Sequence, residues 1–157
     1  MRKQKGFTLI ELLIVIAIIA ILAAIVFVAL DPLSRFQSAR DAQRWSDVTA
    51  ILDAAKLHQV DNGGTYLAAI SGLVAGNNYT VGTCTTGGDT GCTAKTTQAA
   101  CADLSGLATA GYLPAVPYDP SSGSAAKTDY YITKASTGTL TIGVCDPEKA
   151  SAISVAR

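Results

Sequence analysis

Between Glu11 and Asp31 the chain carries nineteen consecutive side chains without a charge or a strongly polar group, Leu12 to Leu30. At about 1.5 Å per helical residue this run spans roughly 28 Å, close to the ~30 Å hydrocarbon core of a bilayer. The segment can cross a membrane. A basic tip of Arg2, Lys3 and Lys5 precedes it. By the positive-inside rule the N-terminus stays cytoplasmic and everything after Leu30 is exported.

A secretory signal peptide also starts with Arg and Lys, but its apolar region is usually only about 7–15 residues and ends at a small-residue cleavage site. This run is too long for that. A plain signal anchor fits the length but gives no reason for Glu11. A carboxylate near the middle of an inserted helix costs about 2.5–3.5 kcal/mol on insertion scales, and less toward the interface. Glu11 therefore asks for a cationic partner.

The hexapeptide Gly6-Phe7-Thr8-Leu9-Ile10-Glu11, set after a short basic leader and before the apolar run, resembles the class III signal of type IV pilins, pseudopilins and related filament proteins. The resemblance implies that a prepilin peptidase cuts between Gly6 and Phe7 and methylates the new N-terminus, Phe7. Glu11 is then the acid near that terminus, neutralised during assembly by the Phe7 amine of a neighbouring subunit. The implied partners are further copies of the chain in a helical filament, the peptidase, an assembly ATPase, a platform protein and the inner membrane before assembly. One departure stands out. Many family members carry a proline inside the apolar half, whereas the first proline here is Pro32.

The rest of the chain permits one exported domain. Its 157 residues carry 12 basic and 12 acidic side chains, so charge gives no case for nucleic acid as the main partner. All four cysteines, Cys84, Cys92, Cys101 and Cys145, lie on the exported side, where disulfides persist. Three pairings are open to them. The favoured arrangement joins Cys84 to Cys92 across a Gly/Thr-rich loop and Cys101 to Cys145. Zinc is disfavoured because no Cys-x-x-Cys occurs and His58 is distant.

After Asp31, a good N-cap, Pro32 suits a first helical turn. Trp45, Val48, Ile51, Leu52 and Ala55 recur at helical spacing, which predicts a stripe packed on the exported domain. Arg44 with Asp47 and Asp53 with Lys56 are expected as i, i+3 pairs. Arg35, Arg40 and Arg44 read either as a solvated, phosphate-facing surface or as a contact between neighbouring helices. Asn62-Gly63-Gly64 ends the helix, which is continuous or bent near Pro32. His58 reads as a surface or helix-end residue.

Beyond Gly64, Asn78 to Cys84 predicts a short strand with Tyr79 and Val81 on one face. Asn78-Tyr79-Thr80 matches a glycosylation sequon, a pattern common by chance. Thr97 to Ala110 reads as helical, and Tyr130–Lys134 with Thr139–Cys145 as a hairpin with Leu140, Ile142 and Val144 on the core face and the threonines toward solvent. The stretch from Asp103 to Pro120 resembles a family segment, a short helix and a Pro-Asp-Pro-like turn before the last hairpin. The expected fold is α+β and pilin-like: a long N-terminal α-helix, its first half membrane-spanning, packed on a small antiparallel sheet. The expected divisions are leader 1–6, assembly half-helix 7–30, exported half-helix 31–62 and globular head 63–157.

No catalytic motif, paired acids or His/carboxylate cluster occurs in the exported part, so no enzyme and no cofactor are expected. Asp119, Ser121 and Asp129 surround one loop like that which holds calcium in major pseudopilins, but three scattered oxygens are few for calcium and an Asp-Pro turn explains them. The expected role is structural, a type IV pilus-like filament subunit at the cell surface or in the periplasm. The alternatives are a type II secretion pseudopilin, or a minor pilin for DNA uptake or adhesion, which should carry a basic or aromatic patch; none is evident in sequence, and Tyr112, Tyr118, Tyr130 and Tyr131 are the candidates to cluster.

Overall fold

The computed structural model describes residues 6–84 and 92–157. The leader residues Arg2, Lys3 and Lys5 and the interior of the Cys84–Cys92 loop lie outside the described residues. The chain forms two compact units, one reaching to Phe36 and one from Gln37 to Arg157.

In the first unit, helix α1 runs from Leu9 to Leu30. Its Leu, Ile, Val and Ala side chains are apolar on every side, so no face is marked for a core, and none of its residues is buried. It is long and apolar enough to cross a membrane. The helix ends at Asp31, which adopts a left-handed conformation (φ 39°, ψ 68°). Helix α2 begins at Pro32 and runs to Asp61. Asp31 also caps this second start, its Oδ1 accepting the Ser34 N–H at 3.4 Å. Of the two expectations for the helix, the interrupted one holds.

In the second unit, α2 lies over a five-stranded sheet. Val48, Ile51, Leu52, Ala54 and Ala55 of α2 are buried against it. Trp45 is not: it remains 43% exposed, on the flank of the stripe. The expected i, i+3 pairs also differ. Asp53 pairs with Arg157 and Lys56 donates to the Tyr66 hydroxyl, because strands and loops from later in the chain offer better-placed partners. Gly63 and Gly64 take positive φ, and the Gly64 N–H bonds the Gln59 carbonyl at 2.7 Å, closing the helix as predicted.

Short helix α3 (Ala68–Ser71) leads to strand β1 (Asn78–Val81); β2 (Thr97–Ala102), α4 (Ser105–Thr109), β3 (Tyr130–Lys134), β4 (Leu140–Val144) and β5 (Ser154–Ala156) follow. The strand order is β2-β1-β3-β4-β5. β1 and β2 run parallel and the other neighbours antiparallel, so the sheet is mixed and not purely antiparallel as expected. Residues 97–102 were expected to be helical; only Ser105–Thr109 is. Thr-Gln-Ala-Ala-Cys-Ala carries no alternation because β2 is an edge strand, exposed over most of its length.

Tyr79, Val81, Tyr130, Ile132, Leu140, Ile142 and Val144 line the inner face with Ile70, Leu104, Leu107 and Ile153. The outer face is not simply threonine meeting solvent. Tyr131 packs there with Cys92 and Cys145, and it sits opposite Gly143 in register. A Cβ on Gly143 would lie 2.4 Å from the Tyr131 ring. Gly143→Val should therefore cost about 1–3 kcal/mol by overpacking, while Tyr131→Ala in the same chain should relieve the clash. Urea unfolding of the single and double variants measures both.

The disulfides correct the favoured pairing. Cys84 bonds Cys101 (Cα–Cα 5.9 Å) and Cys92 bonds Cys145 (4.5 Å). Cys101 lies on β2, one pairing step from β1, so it meets Cys84 just beyond the end of that strand. Cys92 is thereby left for Cys145 at the end of β4.

Candidate assembly segment and buried charge cluster

Thr8 caps α1. Its hydroxyl accepts the Glu11 N–H at 3.3 Å, and Glu11 Oε2 accepts the Thr8 N–H and the Thr8 hydroxyl at 2.8 Å each. This is a capping box, in which the acid at the third helical position satisfies the cap residue's own amide. Thr-x-x-Glu is legible at Thr8–Glu11, so Glu11 has partners within its own chain besides the external cation expected for it. Phe7, just before the cap, is 83% exposed. The structure thus supplies Glu11 with local donors inside one chain and leaves one of its carboxylate oxygens without a hydrogen bond among the described residues.

The second constellation is buried in the C-terminal unit, and it overturns both readings of the basic stretch for Arg40 and Arg44 but not for the exposed Arg35. Arg44 is fully buried. Its Nε donates to Asp119 Oδ2 at 2.6 Å and its Nη2 to Asp119 Oδ1 at 2.9 Å, a two-point clamp. Nη1 donates to Asp41 Oδ1 at 2.8 Å, while Nη2 also reaches Ser121 Oγ at 3.0 Å and Glu148 Oε1 at 3.2 Å. The expected partner, Asp47, instead accepts from the Tyr130 hydroxyl and from Gln43. Arg40 donates to both oxygens of Glu148 at 2.7 and 2.5 Å. Asp41 further accepts the backbone N–H groups of Glu148, Lys149 and Ala150 at 3.1, 2.8 and 2.8 Å. One turn of α2 thereby holds the loop at 119–122 and the loop at 148–150. Arg44 shares the helical phase of Val48, Ile51 and Ala55, which was the signal available in sequence.

Burial pushes the Asp119 carboxyl up, but the Arg44 guanidinium and the Ser121 donors outweigh it and hold its pKa at about 2. For Asp41, burial is again opposed, here by three backbone N–H groups and Arg44, and the pKa is again about 2. Asp119 raises the Arg44 pKa against burial, so the guanidinium stays charged. Both carboxyls titrate below their unfolded value of 3.8. Their stabilisation is complete above that value and is lost as pH falls through about 2, on the order of 2 kcal/mol for each group. Stability of the C-terminal unit should fall steeply between about pH 4 and pH 2, and Asp119→Asn should flatten that slope. Urea midpoints measured across this range test it.

The calcium reading loses its ligands to this cluster. Asp119 and Ser121 come together, but both Asp119 oxygens are taken by Arg44, and Asp129 lies 3.3 Å from the Lys127 ammonium. The four tyrosines do not form one patch. Tyr130 is buried on Asp47, Tyr131 lies on the opposite sheet face, Tyr112 donates to Asp61 beside His58, and Tyr118 is exposed. Asn78 of the sequon donates to the Thr96 carbonyl and accepts from the Thr133 hydroxyl, so its amide is engaged at both ends.

The family described as the prokaryotic N-terminal methylation motif matches residues 1–27. The type IV wide pilus major component PilA4 of Thermus thermophilus is 52% identical over 66 residues, 40% of this chain and 46% of the relative. The type IV major fimbrial protein FimA of Dichelobacter nodosus is 38% identical over 94 residues, 56% and 57% of the two chains. Core protein G of the type II secretion system of Vibrio cholerae is 36% identical over 75 residues, 48% and 49%. The chain spans about half the length of the curated relatives it matches. No solved structure matches. The chain carries the N-terminal motif of type IV prepilins, and its relatives are subunits of type IV pili and of the type II secretion system.

Proposed function

We propose that the chain is a structural subunit of a type IV pilus-like filament and has no catalytic role. It is held by α1 in the cytoplasmic membrane as a precursor, N-terminus inside, and cut between Gly6 and Phe7 by a prepilin peptidase that also methylates Phe7. An assembly ATPase and platform protein then move it into the filament. Residues 1–6 act as leader, 7–30 as assembly half-helix, 31–62 as the exported half-helix and 63–157 as the head.

The observation that supports this reading is α1: twenty-two residues, none buried, directly behind a methylation motif. Such a surface is stable only in lipid or against other apolar helices. Glu11 decides between the two. In a lone subunit Thr8 supplies its hydrogen bonds but no charge, whereas the Phe7 amine of a neighbour supplies both. Filament packing is then favoured over lipid, and register is set. A secretion pseudopilus subunit is the second reading, supported by the likeness to core protein G.

Glu11→Ala should leave cleavage after Gly6 intact and lower the amount of chain in sheared surface filaments at least tenfold. Immunoblots of membrane and sheared fractions read both quantities. Wild-type amounts of filament from this variant would remove Glu11 from the assembly step.

A further inference from the structure

We propose that Lys95 of one copy of the chain enters a cavity beside Asp103 of the next, joining C-terminal units head to tail. The cavity has a volume of about 290 Å³ and lies where β1 ends and α4 begins. Its lining is mostly apolar, with Leu104, Ala108, Pro114 and Val116 alongside Asp103 and Tyr118. Asp103 is the only charged residue of that lining, and it is exposed. Its Oδ1 accepts the Ser105 N–H at 2.9 Å, while its Oδ2 has no hydrogen bond among the described residues. The Tyr118 side chain is 53% exposed, an aromatic face left to solvent in the lone chain. Apolar walls with one carboxylate and one aromatic ring suit an alkyl stem that ends in an ammonium, which is the chemistry of a lysine side chain.

The chain itself supplies such a lysine. Lys56 donates to the Tyr66 hydroxyl, Lys134 to the Ser71 carbonyl, and Lys127 faces Asp129. Lys149 is engaged as well. Among the described residues this leaves Lys95 as the lysine that is exposed and makes no polar contact. It cannot reach Asp103 of its own chain. Lys95 stands two residues before β2 and Asp103 directly follows that strand, so an extended stretch of roughly 20 Å separates them. Lysine and cavity are therefore different patches at opposite ends of one strand, and their pairing between copies is heterologous. Each copy offers a lysine to one neighbour and a cavity to another, a contact that builds open filaments when the rotation between copies does not close a ring. The role of the contact rests on the filament reading, in which the heads must also find one another outside the membrane.

The test treats cells that produce the full chain with a water-soluble carbodiimide, which joins an amine to a carboxylate only where the two touch. Tryptic peptides should contain Lys95 linked to Asp103, and mixing light and heavy-isotope chains should show that the link runs between copies. Lys95→Glu and Asp103→Lys each set like charges together and should lower the chain recovered in sheared filaments about fivefold, and the double variant should restore it. Asp103→Asn keeps an acceptor for the Ser105 N–H, so a loss with this variant reports the charge and not the start of α4. Filaments in which Asp103 is linked to a different protein or to no lysine, or in which the double variant does no better than the single ones, would overturn the contact and leave the filament reading standing. The Lys95–Asp103 link found in membranes of cells without surface filaments would support the contact and remove only the filament role. Neither link nor filaments would remove both.

Discussion

Replacing Arg44 by methionine should lower the stability of the C-terminal unit by about 3–5 kcal/mol, the range for removing one partner of a buried ion pair. Methionine fills much of the arginine stem, so the loss is not a cavity effect. What it leaves is Asp119, fully buried, together with Asp41 and Glu148, with the guanidinium that joined them gone. Asp119→Asn in the same chain should recover part of the loss, since it removes the charge that suffers most from burial. Trp45, the only tryptophan and the next residue along α2, gives a fluorescence signal for urea titration. A cost below about 1 kcal/mol would mean that water reaches the cluster and that it behaves as a surface ion pair.

Removing Cys92 and Cys145 together should have the next largest effect. The crosslink closes 53 residues of separation, worth about 4 kcal/mol in the chain-entropy account, against about 3 for the 17-residue separation of Cys84 and Cys101. Cys145 is also fully buried beside Tyr131, so serine there loses packing as well. The two closed stretches interleave, so the two losses should not add. Tryptic peptides check the pairing itself. Cys84 and Cys92 share the peptide 57–95, which under the observed pairing remains tied to both the Cys101 and the Cys145 peptides. Release of 57–95 alone without reductant would restore the Cys84–Cys92 pairing.

What was legible in the sequence was local. The apolar length, the N-terminal motif, the Asp31-Pro32 start, the Asn62-Gly63-Gly64 stop and the last hairpin each depend on residues within a few positions of one another. What was not legible joins distant positions. Arg44 finds Asp119 75 positions away, and nothing in the 3.6-residue period distinguishes an arginine that faces a core from one that faces water. The parallel β1–β2 pairing and the two disulfides arise from one event, the return of residues 97–102 to the β1 edge. An edge strand of Thr, Gln and Ala has no burial pattern to announce itself. Trp45 was misplaced for the converse reason, since its spacing fits the stripe but its angular position falls on the flank.

The filament reading itself is decided by the chain's N-terminus in surface material. Filaments sheared from cells would be subjected to intact mass measurement and N-terminal sequencing. A chain that begins at methylated Phe7, four hydrogens lighter than its fully reduced form, is expected, and it would establish cleavage after Gly6, export and both disulfides together. An uncut chain beginning at Met1 and recovered only from membranes would leave α1 a plain anchor and remove the filament role.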